Sequence, residues 1–150
     1  MLAKYIATWF GSGLIPKAPG TWGTLAAIPF AFVIIGSAGP FALLIAAIIA
    51  FIIGVWAAGA YATTTGKPDP SDVVIDEVAA IWLVLAFVPV SFVGWFIAFA
   101  VFRFFDVVKP WPVSLADAKL KGGFGIMADD IIAALYTLLI LWLMQFYLGA

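Results

Sequence analysis

The sequence predicts an all-α fold, a multi-pass transmembrane helical bundle of about five spans preceded by a short N-terminal interfacial helix. Three observations predict it. Hydrophobic residues fill 66% of the 150 positions and charged residues only 10%, against about 45–50% and about 25% in soluble domains. The apolar positions gather into five long runs. The charged residues fall on alternate connections between those runs. A soluble domain of this length has too little interior to hide so much apolar surface, so lipid must solvate most of it.

The runs are Thr21–Ile35, Phe41–Tyr61, Val73–Val88, Phe92–Val108 and Ile131–Leu148. A spanning helix needs about 20 residues, within a range of about 17–25. Phe41–Tyr61 and Ile131–Leu148 meet that length outright. The other three cross only if they extend into loop residues or are covered by other helices. Pro29 is a candidate kink in the first run. Residues Met1–Phe10 read as the interfacial helix, with Tyr5 and Trp9 suited to the headgroup boundary. That segment lacks the continuous apolar core of a cleaved signal peptide. A single integral-membrane domain, 1–150, accounts for the length.

Sidedness follows from the connections. Lys4 and Lys17 precede the first run. Lys67, Asp69, Asp72, Asp76 and Glu77 lie around the second connection. Arg103, Asp106, Lys109, Asp117, Lys119, Lys121, Asp129 and Asp130 surround the fourth. The opposite connections, 36–40 and 89–91, carry no charge. Five crossings place every charge at one face, and Lys and Arg favour the cytoplasmic side. The expected location is therefore the cytoplasmic membrane, with the charged face and N-terminus inside.

The chain has no Cys and no His. This excludes disulfides, thiolate or imidazole metal sites, and Cys- or His-nucleophile chemistry. Any metal site must use oxygen ligands, which suits Mg²⁺, Mn²⁺ or Ca²⁺. A net charge of -1 provides no basic field for nucleic acid.

Three acidic groups stand where the runs meet the charged face: Asp76-Glu77, Arg103 with Asp106, and Asp129-Asp130. Each alone has a structural explanation. An Asp at a helix start caps backbone N–H groups, and Arg103 with Asp106 is an i,i+3 pair. Together they point further, because ionisable groups against apolar membrane sequence are costly. Two carboxylates about 4 Å apart repel by about 4 kcal/mol at an effective dielectric near 20. Such a cluster must take up protons or bind a cation, and the donor set points to Mg²⁺. Two glycine-rich stretches accompany the acids, Gly11-Ser12-Gly13 with 19–24, and Gly122-Gly123-Phe124-Gly125 before Asp129. Glycine lets backbone N–H groups converge on an oxyanion, although boundary turns use glycine too.

The chain resembles the phosphatidylglycerophosphatase A family at four motifs in family order. They are 10–14 with 19–23, then 74–77 with Trp82, then 102–106 with 109–112, and last 122–127 with Asp129-Asp130. Ala80 stands where the family pattern has Gly. The resemblance implies Mg²⁺-dependent hydrolysis of phosphatidylglycerophosphate to phosphatidylglycerol and phosphate, in the bacterial inner membrane. It implies metal ligation by Asp76, Glu77, Asp129 and Asp130. Asp106, Asp129, Asp130 and Arg103 are the catalytic candidates. Ser12, Thr21, Lys109, Gly122 and Gly123 are the headgroup candidates. The competing readings are a small divalent-cation transporter, which would spread its acids along a path, and an assembly subunit, which would not need paired acids.

Overall fold

The computed structural model describes residues 2–67, 70–111 and 122–148, and among these it is helical with no strand. Asp69, Asp117, Lys119 and Lys121 lie outside the described residues. Helix α1 is Leu2–Ala7, and a 3₁₀ turn covers Ser12–Leu14. Then come α2 (Pro19–Ala38), α3 (Pro40–Thr65), α4 (Ile75–Leu85), α5 (Phe92–Val108) and α6 (Gly122–Leu148).

Local chemistry explains the boundaries. Prolines at the first helical position start α2 and α3, where a missing N–H costs nothing. Ser91 caps α5, its hydroxyl oxygen accepting from the Gly94 N–H at 2.9 Å. The chain leaves α5 at Lys109, whose N–H donates to the Phe105 carbonyl at 3.0 Å. Helix α2 continues through Pro29, so the candidate kink does not end it.

Helix α4 is the axis of the molecule. It packs against α2, α3, α5 and α6, and every residue except Leu83 is buried. The Trp82 indole N–H donates to the Ala27 carbonyl at 2.9 Å, tying α4 to α2. An apolar run this well covered faces protein rather than lipid. Its 11 residues span about 16 Å, about half the hydrocarbon thickness. Three helices, α2, α3 and α6, are long and apolar enough to cross a membrane. Of the five runs expected to cross, only Phe41–Tyr61 and Ile131–Leu148 reach that length in the sequence alone. The structure instead lengthens α2 to 20 residues and leaves α4 and α5 below that standard.

The second correction concerns α6. The sequence reading started the last helix near Ile131, after a glycine loop. The structure begins it at Gly122, so Asp129 and Asp130 lie about two turns inside. The reason is packing on α3. A Cβ on Gly123 would fall 1.9 Å from the Val55 carbonyl oxygen, and one on Gly54 would fall 2.5 Å from the Met127 methyl. The small residues bring two helix backbones together.

Gly123→Ala is therefore expected to lower the unfolding temperature of the detergent-solubilised protein, at a cost of about 1–3 kcal/mol. Gly36→Ala, where a methyl meets nothing within 4 Å, is the control and leaves it unchanged or slightly higher.

Candidate functional site

Five carboxylates converge where α2 and α4 begin and α5 ends. Asp76 and Glu77 occupy the first turn of α4. Asp106 lies in the last turn of α5, and Asp129 and Asp130 project from α6. All five are buried, Asp130 to 1% exposure. One carboxylate oxygen each from Asp76, Asp129 and Asp130 lies within 4.8 Å of the others. The same holds for Glu77, Asp106 and Asp130. Consecutive helix residues point about 100° apart, which is how the neighbours Asp76 and Glu77 serve two overlapping groups.

Helix rises locate this cluster along the bundle. Gly20, in the first turn of α2, faces it. A Cβ there would lie 2.9 Å from Arg103 Nη1 and 3.0 Å from Glu77 Oε1. From Gly20 to Ala38, α2 rises about 27 Å. From Pro40 to Gly54, at the level of Ile75 and Met127, α3 rises about 21 Å. The acids therefore lie beside the start of α2, near mid-length of α3 and about two turns into α6. Helix α3 continues 11 residues past Gly54, and α6 starts several residues before Asp129. These two helices wall the pocket on the charged side.

Two cations answer the acids. Arg103 pairs with Asp106, three residues on, and its Nη1 lies 3.6 Å from Glu77 Oε1. Lys109 Nζ donates to Asp129 Oδ2 at 3.1 Å and lies 3.6 Å from Asp106 Oδ1. Partial burial works against the Lys109 charge, but Asp129, Asp130 and Asp106 outweigh it and hold the ammonium above the usual lysine range. Lys109 is thus charged throughout the neutral range. Fully ionised, five carboxylates against two cations would leave an excess of three negative charges. Glu77 Oε2 and Asp130 Oδ2 are buried without a hydrogen-bond partner. Orphaned buried carboxylate oxygens of this kind fit a hard divalent cation, since leaving a charged acceptor unsatisfied is costly.

Residues 5–145 match the family described as Phosphatidylglycerophosphatase A. The chain belongs to the phosphatidylglycerophosphatase A family. A Haemophilus influenzae protein named Phosphatidylglycerophosphatase A is 38% identical over 144 residues, covering 95% of this chain and 88% of the relative. An Escherichia coli protein of the same name is 38% identical over 139 residues, covering 91% and 80%. A Bacteroides thetaiotaomicron protein named "Putative phosphatidylinositol-3-phosphatase" is 37% identical over 160 residues, covering 99% and 96%. No solved structure matches the chain.

The structure unites Asp76, Glu77, Arg103, Asp106, Lys109, Asp129 and Asp130 in this family member. It does not bring every expected residue there. The Ser12 hydroxyl donates to the Trp9 carbonyl at 2.8 Å, closing its own turn. Thr21 lies in the first turn of α2, beside Gly20. Gly122 and Gly123 open α6 about two turns from Asp130, and Gly123 is occupied against α3. Their separation corrects the picture of a glycine loop directly against the acids. Asp72 is bound instead by the Tyr61 hydroxyl. Ala80 is fully buried in the core of α4. The contribution of Gly20 was not foreseen, although its place after Pro19 at a helix start was a visible signal. Its missing side chain is what admits the Arg103 guanidinium.

Relief of repulsion makes a signed prediction. In chelator, Asp130→Asn should unfold at or above the wild-type temperature, because one mutually repelling charge is gone. Saturating Mg²⁺ should stabilise the wild type by about 2.7 kcal/mol at a hundred times its dissociation constant, and the variant by much less. Equal stabilisation of both, read by thermal unfolding in detergent, would place cation binding elsewhere.

Proposed function

We propose that this chain hydrolyses phosphatidylglycerophosphate to phosphatidylglycerol and inorganic phosphate, in the bacterial inner membrane and at its cytoplasmic face. The single observation that carries this reading is the buried five-carboxylate pocket with orphaned oxygens, found in a chain of this family. The position of the pocket favours an enzyme over a carrier, because a transport site would be expected nearer the middle of the slab. It also suits a lipid whose phosphate lies at headgroup level while its acyl chains remain in the bilayer.

Asp76, Glu77, Asp129 and Asp130 would hold Mg²⁺. A cation bound there supplies charge neutralisation and Lewis acidity toward a phosphoryl oxygen. The remaining work belongs to the chain. Arg103 and Lys109 offer N–H donors to the phosphate oxygens, and the guanidinium can engage two at once. The start of α2 beside Gly20 adds the favourable potential of a helix N-terminus. Asp106 orients the attacking water and accepts its proton, and as the phosphorus bond to the glycerol oxygen breaks, that leaving oxygen takes up a proton from water to give the free hydroxyl. Burial on α4 keeps competing solvent away. We further propose that α4 and α5 complete five crossings. The turn between them, Pro89–Ser91, carries no charge, and α5 rises about 21 Å from Asp106 to Phe92, which matches the depth of α3. Thr21 and Gly122 are retained as the outer headgroup contacts, whereas Ser12 is taken up by its own turn and Gly123 by α3.

The test is phosphate release by the purified protein with and without Mg²⁺. Phosphatidylglycerophosphate should be turned over in Mg²⁺ and not in chelator, and faster than phosphatidylinositol 3-phosphate. Asp76→Asn and Asp129→Asn, each checked for folding, should lower kcat by about 10²-fold or more, the scale of losing one preorganised electrostatic contact. Full turnover in chelator would overturn the metal assignment. Preference for the inositol lipid would overturn the substrate.

A further inference from the structure

We propose that the pocket is built for two divalent cations, one at Asp76, Asp129 and Asp130 and the other at Glu77, Asp106 and Asp130, with Asp130 shared. The proposal rests on the phosphatase reading above and deepens it.

Geometry is the first argument. The two groups are each closed within 4.8 Å, but Asp76 and Glu77 leave α4 in directions about 100° apart. Asp130 is the one ligand common to both groups, so an ion in each would share it. Around Mg²⁺ with ligands at about 2.1 Å, opposite oxygens lie about 4.2 Å apart. Only one pair in a triad can be opposite and the other pairs lie about 3.0 Å apart, so a triad closed within 4.8 Å draws in by up to about 2 Å as an ion binds, and each leaves coordination positions for water or phosphate oxygens. Two-metal phosphoryl-transfer sites generally hold their ions about 3.5–4 Å apart, a separation that a shared carboxylate can bridge.

The orphaned oxygens are the independent observation. Asp130 Oδ2 and Glu77 Oε2 are both buried and lack a partner. They belong to residues of different emphasis: Asp130 is common to both triads, whereas Glu77 is in the second alone. A lone ion in the first triad would leave the Glu77 oxygen unsatisfied.

Charge decides between one ion and two. With all five carboxylates ionised, as cation binding requires, the pocket would carry an excess of three negative charges after Arg103 and Lys109 are counted. One divalent cation leaves it negative before the substrate arrives, and a phosphate monoester dianion would be repelled. Two make it weakly positive, so the dianion is attracted. Arg103 and Lys109 cannot supply this alone, since both are already engaged with Glu77, Asp106 and Asp129.

Mn²⁺ titration of the intact purified chain in lipid nanodiscs tests this without reference to turnover. Calorimetry should give two Mn²⁺ per chain, and electron paramagnetic resonance should show a spin-coupled pair. Asp106→Asn, with an unchanged apo unfolding transition, should keep one ion and lose the coupling. Asp76→Asn should do the same from the other side, and Asp130→Asn should weaken both ions by about tenfold or more. Saturation of the wild type at one ion, with phosphate release intact, would overturn the second site and leave the phosphatase reading standing. Two ions that persist uncoupled, or persist in Asp106→Asn, would place the second elsewhere and overturn the shared-ligand arrangement. Turnover in chelator with no Mn²⁺ bound would overturn the metal site as a whole.

Discussion

Mutual repulsion among buried carboxylates is the constraint from which the architecture follows. Asp76, Glu77, Asp106, Asp129 and Asp130 are packed into a small volume, and each close pair costs several kcal/mol unless opposed. A fold that tolerates this must bring positive charge to the same place and must hold the acids rigidly enough to stop them dispersing. Arg103 and Lys109 meet the first need in part. The central position of α4 meets the second, because a helix covered by four others cannot tilt its first turn away.

The helices divide their labour accordingly. Helices α3 and α6 form a close pair through Gly54, Gly123 and Met127, and that contact sets the height at which Asp129 and Asp130 enter the pocket. Helix α2 delivers a glycine where a side chain would displace Arg103. Helix α5 ends with its cationic residues next to the acids, and the Tyr136 hydroxyl, donating to the Trp111 carbonyl at 2.8 Å, holds the following chain against α6. Stability and function are thus coupled here: the contacts that close the bundle are those that aim the carboxylates. The gathered carboxylates form a cluster that could hold a metal ion.

Much of this was legible in the residues. The absence of Cys and His restricted the donor set to oxygen, and the paired acids marked the residues that meet in the pocket. The i,i+3 spacing of Arg103 and Asp106 foretold their ion pair. Other features were not legible. An apolar run has the same composition whether lipid or protein covers it, so the run that forms α4 gave no sign that other helices cover it on every side. Gly122-Gly123-Phe124-Gly125 read as a loop because glycine is a poor helix former. Contact with α3 overrides that preference, since only glycine permits so close an approach.

By itself, the sequence determined that the chain is apolar enough for membrane association, that it is helical and that its candidate metal-binding chemistry is carboxylate-based. Composition and charge placement are properties of the chain, and no packing can alter them. Only the tertiary structure decided which acids meet, that Asp130 belongs to two groups at once, and that Ser12 and Gly123 are engaged elsewhere. Those outcomes depend on helix register and on which faces touch. Register is set by contacts between residues far apart in the chain, such as Gly54 with Met127 and Gly20 with Arg103, and no local pattern encodes such contacts.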